Sequence, residues 1–312
     1  MQTMKFAFVF PGQGSQSVGM MAAYGDHAVV RDTFAEAAEA LGQDLWALVQ
    51  DGPAEQLNLT VNTQPAMLAA GVAVYRLWQA QGGPTAAMMA GHSLGEYTAL
   101  SCAGAIGFQD AVKLVRLRAE AMQSAVAEGV GAMAAVLGLD DATVRAVCSE
   151  AAQGEVLEAV NFNSPGQVVI AGNKAAVERG MALAKEKGAK RALPLPVSVP
   201  SHCALMKPAA EKLLAAMQSV EIKAPTVPVI HNADVAAYSD AAQIRDALAR
   251  QLYSPVRWVE SVQHIAGQGV ALMLEAGPGK VLAGLNKRIV DVPTLALADA
   301  TGLDEALAKV NG

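Results

Sequence analysis

Cysteine is scarce in this 312-residue chain: there are three, Cys102, Cys148 and Cys203. The count is odd and no two form a C-x-x-C pair, so neither a disulfide framework nor a cysteine-built zinc site is expected. Aromatic residues reach only 4% and charged residues 17%. Lys and Arg number 23 against 29 Asp and Glu, giving a net charge of −6. A nucleic-acid partner, which calls for a basic footprint, is excluded on that balance. No apolar run approaches the length of a membrane span. The N-terminal apolar stretch "FAFVF" is stopped by the glycine loop "PGQGSQ", too soon for a signal-peptide core. Together these absences predict a cytoplasmic protein with no metal, no cofactor and no membrane contact.

What is present is a large apolar fraction, 53%, enough for a well-buried core. "FAFVF" (6–10) reads as a buried strand, and helical spacing follows over 28–41 and 65–81. "TAAMMA" (85–90) predicts a second strand, and apolar spacing at Val112, Val115, Ala119 and Met122 predicts a helix over 108–125. Strands alternating with helices imply a mostly parallel sheet covered on both faces, an α/β-hydrolase-like large domain. From "EGVGAM" (128–133) the pattern changes to β-α-β-β-α-β, ending on a strand "KRALPLPVS" (190–198). That order is ferredoxin-like. The expected division is therefore a large domain from 1–128 and 199–312, with a small inserted subdomain at 129–198. Strand candidates at 226–232 and 270–277 return the chain to the large sheet.

"GHSLG" (91–95) fits G-x-S-x-G, between a predicted strand and a predicted helix. A serine between glycines can be an ordinary turn. It can also be a nucleophile on a sharp strand-to-helix bend, where the flanking glycines remove Cβ atoms that would clash. Such a serine needs a base. Of the five histidines, His27 and His264 read as surface residues, His231 as structural, and His92 as a brace for the turn. His202, in the irregular stretch "PVSVPSHC", is the best base. An ordinary histidine titrates near ~6.5, so its reaction rate should rise through about pH 6 to 7. No aspartate between Ser93 and His202 looks free to complete a triad, so a backbone carbonyl is the alternative partner for the imidazole. "FPGQGSQ" is no dinucleotide fingerprint, because Ser17 stands where a third glycine is required. The backbone N–H of Gln13 is instead a candidate oxyanion donor. Arg116 and Arg118 lie two apart and so point different ways. Arg116 reads as a solvated residue, and one arginine turned into a cleft can grip a carboxylate bidentately.

Taken together, "FAFVFPGQGSQ", "GHSLGEYTAL", "VRLRAEAMQ", "VNFNSPGQVVIAG", "LPVSVPSHC", "QLYSPVRW" and "EAGPGKVLAGLNKR" resemble the malonyl-CoA:acyl carrier protein transacylase family of fatty acid synthesis, in the family's order. The resemblance implies a ping-pong transfer from malonyl-CoA, releasing CoA, to the phosphopantetheine thiol of an acyl carrier protein. It implies Ser93 as nucleophile and His202 as base. The backbone N–H groups of Gln13 and Leu94 would form the oxyanion hole, Arg118 would pair with the malonyl carboxylate, and the Gln251 carbonyl would orient His202. Asn161, Asn163 and His92 are expected near the cleft. The protein is expected to act as a monomer. Carrier proteins of this class are acidic, so a local basic dock is expected around Lys185, Lys187, Lys190 and Arg191, or around Lys280, Lys287 and Arg288. The alternatives are a discrete trans-acting polyketide acyltransferase and a serine thioesterase or hydrolase.

Overall fold

The computed structural model describes residues 4–197 and 199–312. Ser198, the last residue of the predicted strand 190–198, lies outside the described residues. The strands are β1 Phe6–Phe10, β2 Met88–Gly91, β3 Gly131–Leu137, β4 Leu157–Ser164, β5 Gln167–Asn173, β6 Arg191–Pro194, β7 Val229–Ile230, β8 Leu272–Ala276 and β9 Thr294–Leu297.

A parallel sheet runs in the order β7-β2-β1-β8-β9. Its central strand β1 is buried at all five positions, as an apolar run covered on both faces must be. Phe6, Phe8 and Phe10 point to one face, where Phe8 meets Tyr75 and Trp78 of helix Thr60–Ala80 edge-on. Ala7 and Val9 point to the other, into a cluster with Trp258 and Ile265. The predicted strand 226–232 shrinks to β7, since Pro228 has no N–H to give the ladder. The predicted helix 65–81 begins earlier, at Thr60, with Pro65 inside it. Thr63 Oγ1 donates to Leu57 O, and Asn62 Nδ2 to Gln56 O, tying this early turn to the segment before it.

The second sheet is antiparallel, β4-β5-β3-β6. With helices Asp141–Ala152 and Lys174–Glu186 it is the ferredoxin-like unit that the order of elements predicted. Ala134, Val136 and Ile170 face those helices, while Met133, Val169 and Ala171 face Cys203 of the large unit. Edge strand β4 is stitched to the large unit by Val256, whose N–H donates to Val160 O and whose O accepts from Phe162 N–H. The cleft lies between the two sheets, at the carboxyl ends of the parallel strands, where open α/β sheets bind ligands.

Candidate active site

Ser93 stands two residues past the end of β2 and takes φ +51, in the left-handed region. Helix Gly95–Cys102 begins two residues after it, with Leu94 as its N-cap. The flanking glycines are required by space. A Cβ on Gly91 would stand 1.9 Å from Gly95 O, and one on Gly95 would stand 2.1 Å from Phe10 O. No side chain fits either place, so the bend lifts Ser93 Oγ off the sheet. The Ser93 N–H is already used, donating to Asn232 Oδ1 at 2.7 Å.

His202 Nε2 lies 2.8 Å from Ser93 Oγ, and His202 Nδ1 lies 2.7 Å from the Gln251 carbonyl oxygen. Gln251 ends helix Ala241–Gln251, so its carbonyl is one of the last four that have no partner inside the helix. Two needs are met together: the helix end gains a donor, and the imidazole is fixed with its proton on Nδ1 and its lone pair toward serine. His202 also sits at φ +66.

Arg118 is buried on helix Phe108–Ser124. Its Nη1 donates to Gln64 Oε1 at 2.8 Å, and its Nη2 donates to Gln251 Oε1 at 3.0 Å and to Ser93 Oγ at 3.3 Å. Its guanidinium makes no ion pair with an Asp or Glu among the described residues. Burial, the largest influence, pulls its pKa below the ordinary arginine value. A buried cation surrounded by neutral oxygens is a strong receptor for a carboxylate. Arg116 is not the solvated residue expected. It is half-buried, with Nη2 bonded to Gln43 Oε1 and Asn62 Oδ1, because the groove between helices Ala28–Leu41, Thr60–Ala80 and Phe108–Ser124 closes over it.

Gln13, His92, Ser93, Leu94, Arg118, Asn161 and His202 all line one inner chamber of about 120 Å³. Asn163 stands outside it, in an adjoining channel of about 590 Å³, and braces His92 Nε2 at 2.7 Å. Among the described residues, no internal hydrogen bond uses the backbone N–H of Gln13 or of Leu94. Asn161 Oδ1 is buried without a protein partner.

A family model, the acyl transferase domain, matches residues 7–298. The malonyl CoA-acyl carrier protein transacylase of Salmonella typhimurium is 62% identical over 307 residues, 98% of this chain and 99% of that one. The chain belongs to this family. The crystal structure of the acyl-carrier-protein S-malonyltransferase of Burkholderia pseudomallei superposes with a TM-score of 0.97 at 62% identity, covering 98% of this chain and 100% of that one. A malonyl-transacylase solved in complex with a type II PKS acyl-carrier protein gives 0.96 at 57% identity, covering 97% and 99%.

In this transacylase the expected titration of His202 near neutrality is overturned. Burial and then the nearby Arg118 charge push its pKa down to about 3, outweighing the bond to Gln251, which raises it. The imidazole is thus neutral, and basic in form, at every pH well above about 3. The kcat/KM for acylation reports the free protein, so it should stay flat from about pH 5 to 8. A rising limb at pH 6 to 7 would show that another group is the base. The sign for folding is the opposite of a salt-bridged histidine's. Between ~6.5 and about 3 the unfolded chain binds a proton at His202 that the folded chain refuses, so stability falls as pH falls through that window.

Three polar residues of the transacylase site escaped the sequence reading: Gln64, Glu96 and Asn232. All are buried. Only Glu96 carried a signal, as the acid three residues past the serine, and there it reads as an ordinary first-turn residue. Helix Ala241–Gln251 was also unforeseen, although Asp240 and Gln243 form a capping-box spacing, with Asp240 Oδ1 accepting from Gln243 N–H.

Proposed function

We propose that the protein transfers a malonyl group from malonyl-CoA to the phosphopantetheine thiol of an acyl carrier protein through a malonyl-Ser93 ester. The observation that carries this reading is the convergence on Ser93 Oγ of a base at 2.8 Å and a buried guanidinium at 3.3 Å. As Ser93 Oγ attacks the thioester carbonyl, His202 Nε2 takes its proton. The C–S bond then breaks and the proton leaves with the CoA sulfur. In the second half the carrier thiol gives its proton to His202 and attacks the ester, and Ser93 Oγ leaves, recovering a proton. The negative oxygen formed in each half is bound by the N–H groups of Gln13 and Leu94. Arg118 holds the malonyl carboxylate, and the inserted unit, 129–198, supplies Asn161 and Leu195 to the cleft wall. Intact mass spectrometry after malonyl-CoA tests the reading: a single malonyl adduct on the Ser93 peptide is expected, and none would overturn it.

The carrier dock is read from charge. The two basic clusters, distant in sequence, approach one another, with Lys190 and Arg288 lining one surface recess. Lys190→Glu with Arg288→Glu should raise the KM for carrier protein several-fold and leave acylation by malonyl-CoA unchanged. Added salt should weaken transfer in the same way. An unchanged KM would move the dock elsewhere.

A further inference from the structure

Beneath the dyad lies a polar cluster that the reaction scheme does not use. Glu96 is fully buried in the first turn of helix Gly95–Cys102. A buried carboxyl group is costly unless its oxygens are bonded. Here both are. Oε1 lies 2.6 Å from His231 Nδ1, while Oε2 accepts from the Asn232 N–H at 2.9 Å and from Gln251 Nε2 at 3.0 Å. His231 and Asn232 follow β7, and Gln251 ends a helix, so one side chain ties three elements together.

Each tie leads to the reacting groups. The Gln251 carbonyl holds His202 Nδ1, its Oε1 accepts from Arg118, and its Nε2 also donates to Ser93 O. Asn232 Oδ1 accepts from the Ser93 N–H, and its Nδ2 donates to Gly91 O. An amide side chain has one acceptor end and one donor end. Because Glu96 Oε2 takes the donor end of Gln251, the acceptor end must face the Arg118 guanidinium. Without that bond the donor end is left chiefly to Ser93 O, and the amide is held less firmly. Ser93 and His202, both at positive φ, depend on surrounding bonds to keep their postures.

We propose that Glu96 is the positioning residue of this site, acting through Gln251 and Asn232 to hold His202, Arg118 and Ser93 in register. The carboxyl group that a serine-histidine-acid triad sets against the imidazole stands here one residue further away. It lies three residues after the serine, in the first turn of the helix that the nucleophile bend opens. This inference rests on the transfer reading above.

The test compares wild type, Glu96→Gln and Glu96→Ala, each checked for folding by its melting temperature. The readouts are acylation kcat per folded molecule and the preference for malonyl- over acetyl-CoA. Glu96→Ala is expected to lower kcat on the order of 10²-fold, the scale of a misplaced catalytic group. It should also narrow the malonyl preference, because Arg118 loses its guide. Glu96→Gln should recover much of both, since its oxygen can still face Gln251 and Asn232 while His231 accepts from its NH₂ in the other tautomer. A purely structural Glu96 would lower melting temperature and folded fraction but leave kcat per folded molecule and the preference intact, and that result overturns the proposal. If Glu96→Ala does not fold, Glu96→Asp, whose shorter side chain withdraws the carboxyl from Gln251, combined with Gln251→Ala decides. Residues acting in series should lose less together than the product of their separate losses, and a full product would sink the idea. The wild-type adduct on Ser93, measured in parallel, separates the two readings: its absence refutes the transfer, whereas its presence beside unaffected Glu96 variants refutes only the positioning role.

Discussion

Ser93→Ala yields a protein that stays folded, takes up no malonyl group and falls below about 10⁻⁵ of wild-type transfer, the scale of loss when a hydrolytic serine is removed. Alanine keeps the size of the side chain but offers no oxygen to carry the acyl group. The backbone bend survives, because it is set by Gly91, Gly95 and the bond from the Ser93 N–H to Asn232, none of which the substitution touches. His202 loses the partner 2.8 Å from its Nε2, yet keeps the Gln251 carbonyl on Nδ1. The check is intact mass after malonyl-CoA together with single-turnover transfer. A malonyl adduct on the variant, or transfer near the wild-type rate, would remove Ser93 from the mechanism.

Arg118→Ala is expected to lower kcat/KM for malonyl-CoA by roughly 30- to 4,000-fold, corresponding to about 2–5 kcal/mol for truncating one member of a buried charged pair. The loss should be selective. Acetyl-CoA brings no carboxylate, and in the wild type it leaves a buried guanidinium with only neutral oxygens around it. The variant should therefore handle acetyl-CoA no worse than wild type. Arg118→Lys should not restore malonyl activity, since a point-like ammonium cannot present two parallel N–H groups. Arg118 Nη2 lies 3.3 Å from Ser93 Oγ, so the carboxylate it holds sits beside the nucleophile and part of the malonyl loss will appear in kcat. Equal losses for malonyl- and acetyl-CoA would make the arginine structural and require another partner for the carboxylate.

The parts of this site that were legible in the sequence are those whose chemistry is local. Ser93 announces itself because a nucleophile on a bend needs Gly91 and Gly95, and those needs lie within five residues. The inserted unit was legible from its element order, and β4 and β5 from the turn Pro165-Gly166, where Gly166 takes φ +74. Buried networks leave no such trace. Gln251 was read only for its carbonyl, yet its side chain touches Arg118, Glu96 and Ser93, contacts up to 158 positions apart. The downward shift of His202 was equally hidden, since burial and a neighbouring cation are properties of the closed fold. Strand β9 went unassigned because four residues after a proline carry too little periodicity to register. Helices Lys207–Met217 and Trp258–Gly267 span only 11 and 10 residues, about three turns each, so their apolar spacing carries a weak periodic signal.

Ser93 and His202 face each other with the same unfavourable backbone turn, at φ +51 and +66. Each such posture in a non-glycine residue costs on the order of 1–3 kcal/mol, borne by the rest of the fold. Glycine would relax both. A lineage selected only for heat tolerance would thus drift toward glycine at the two positions that do the chemistry, and would arrive at a sturdier, inert molecule. Directed evolution of this scaffold has to score turnover in every round, because its reactive centre holds backbone strain that selection for stability alone would remove.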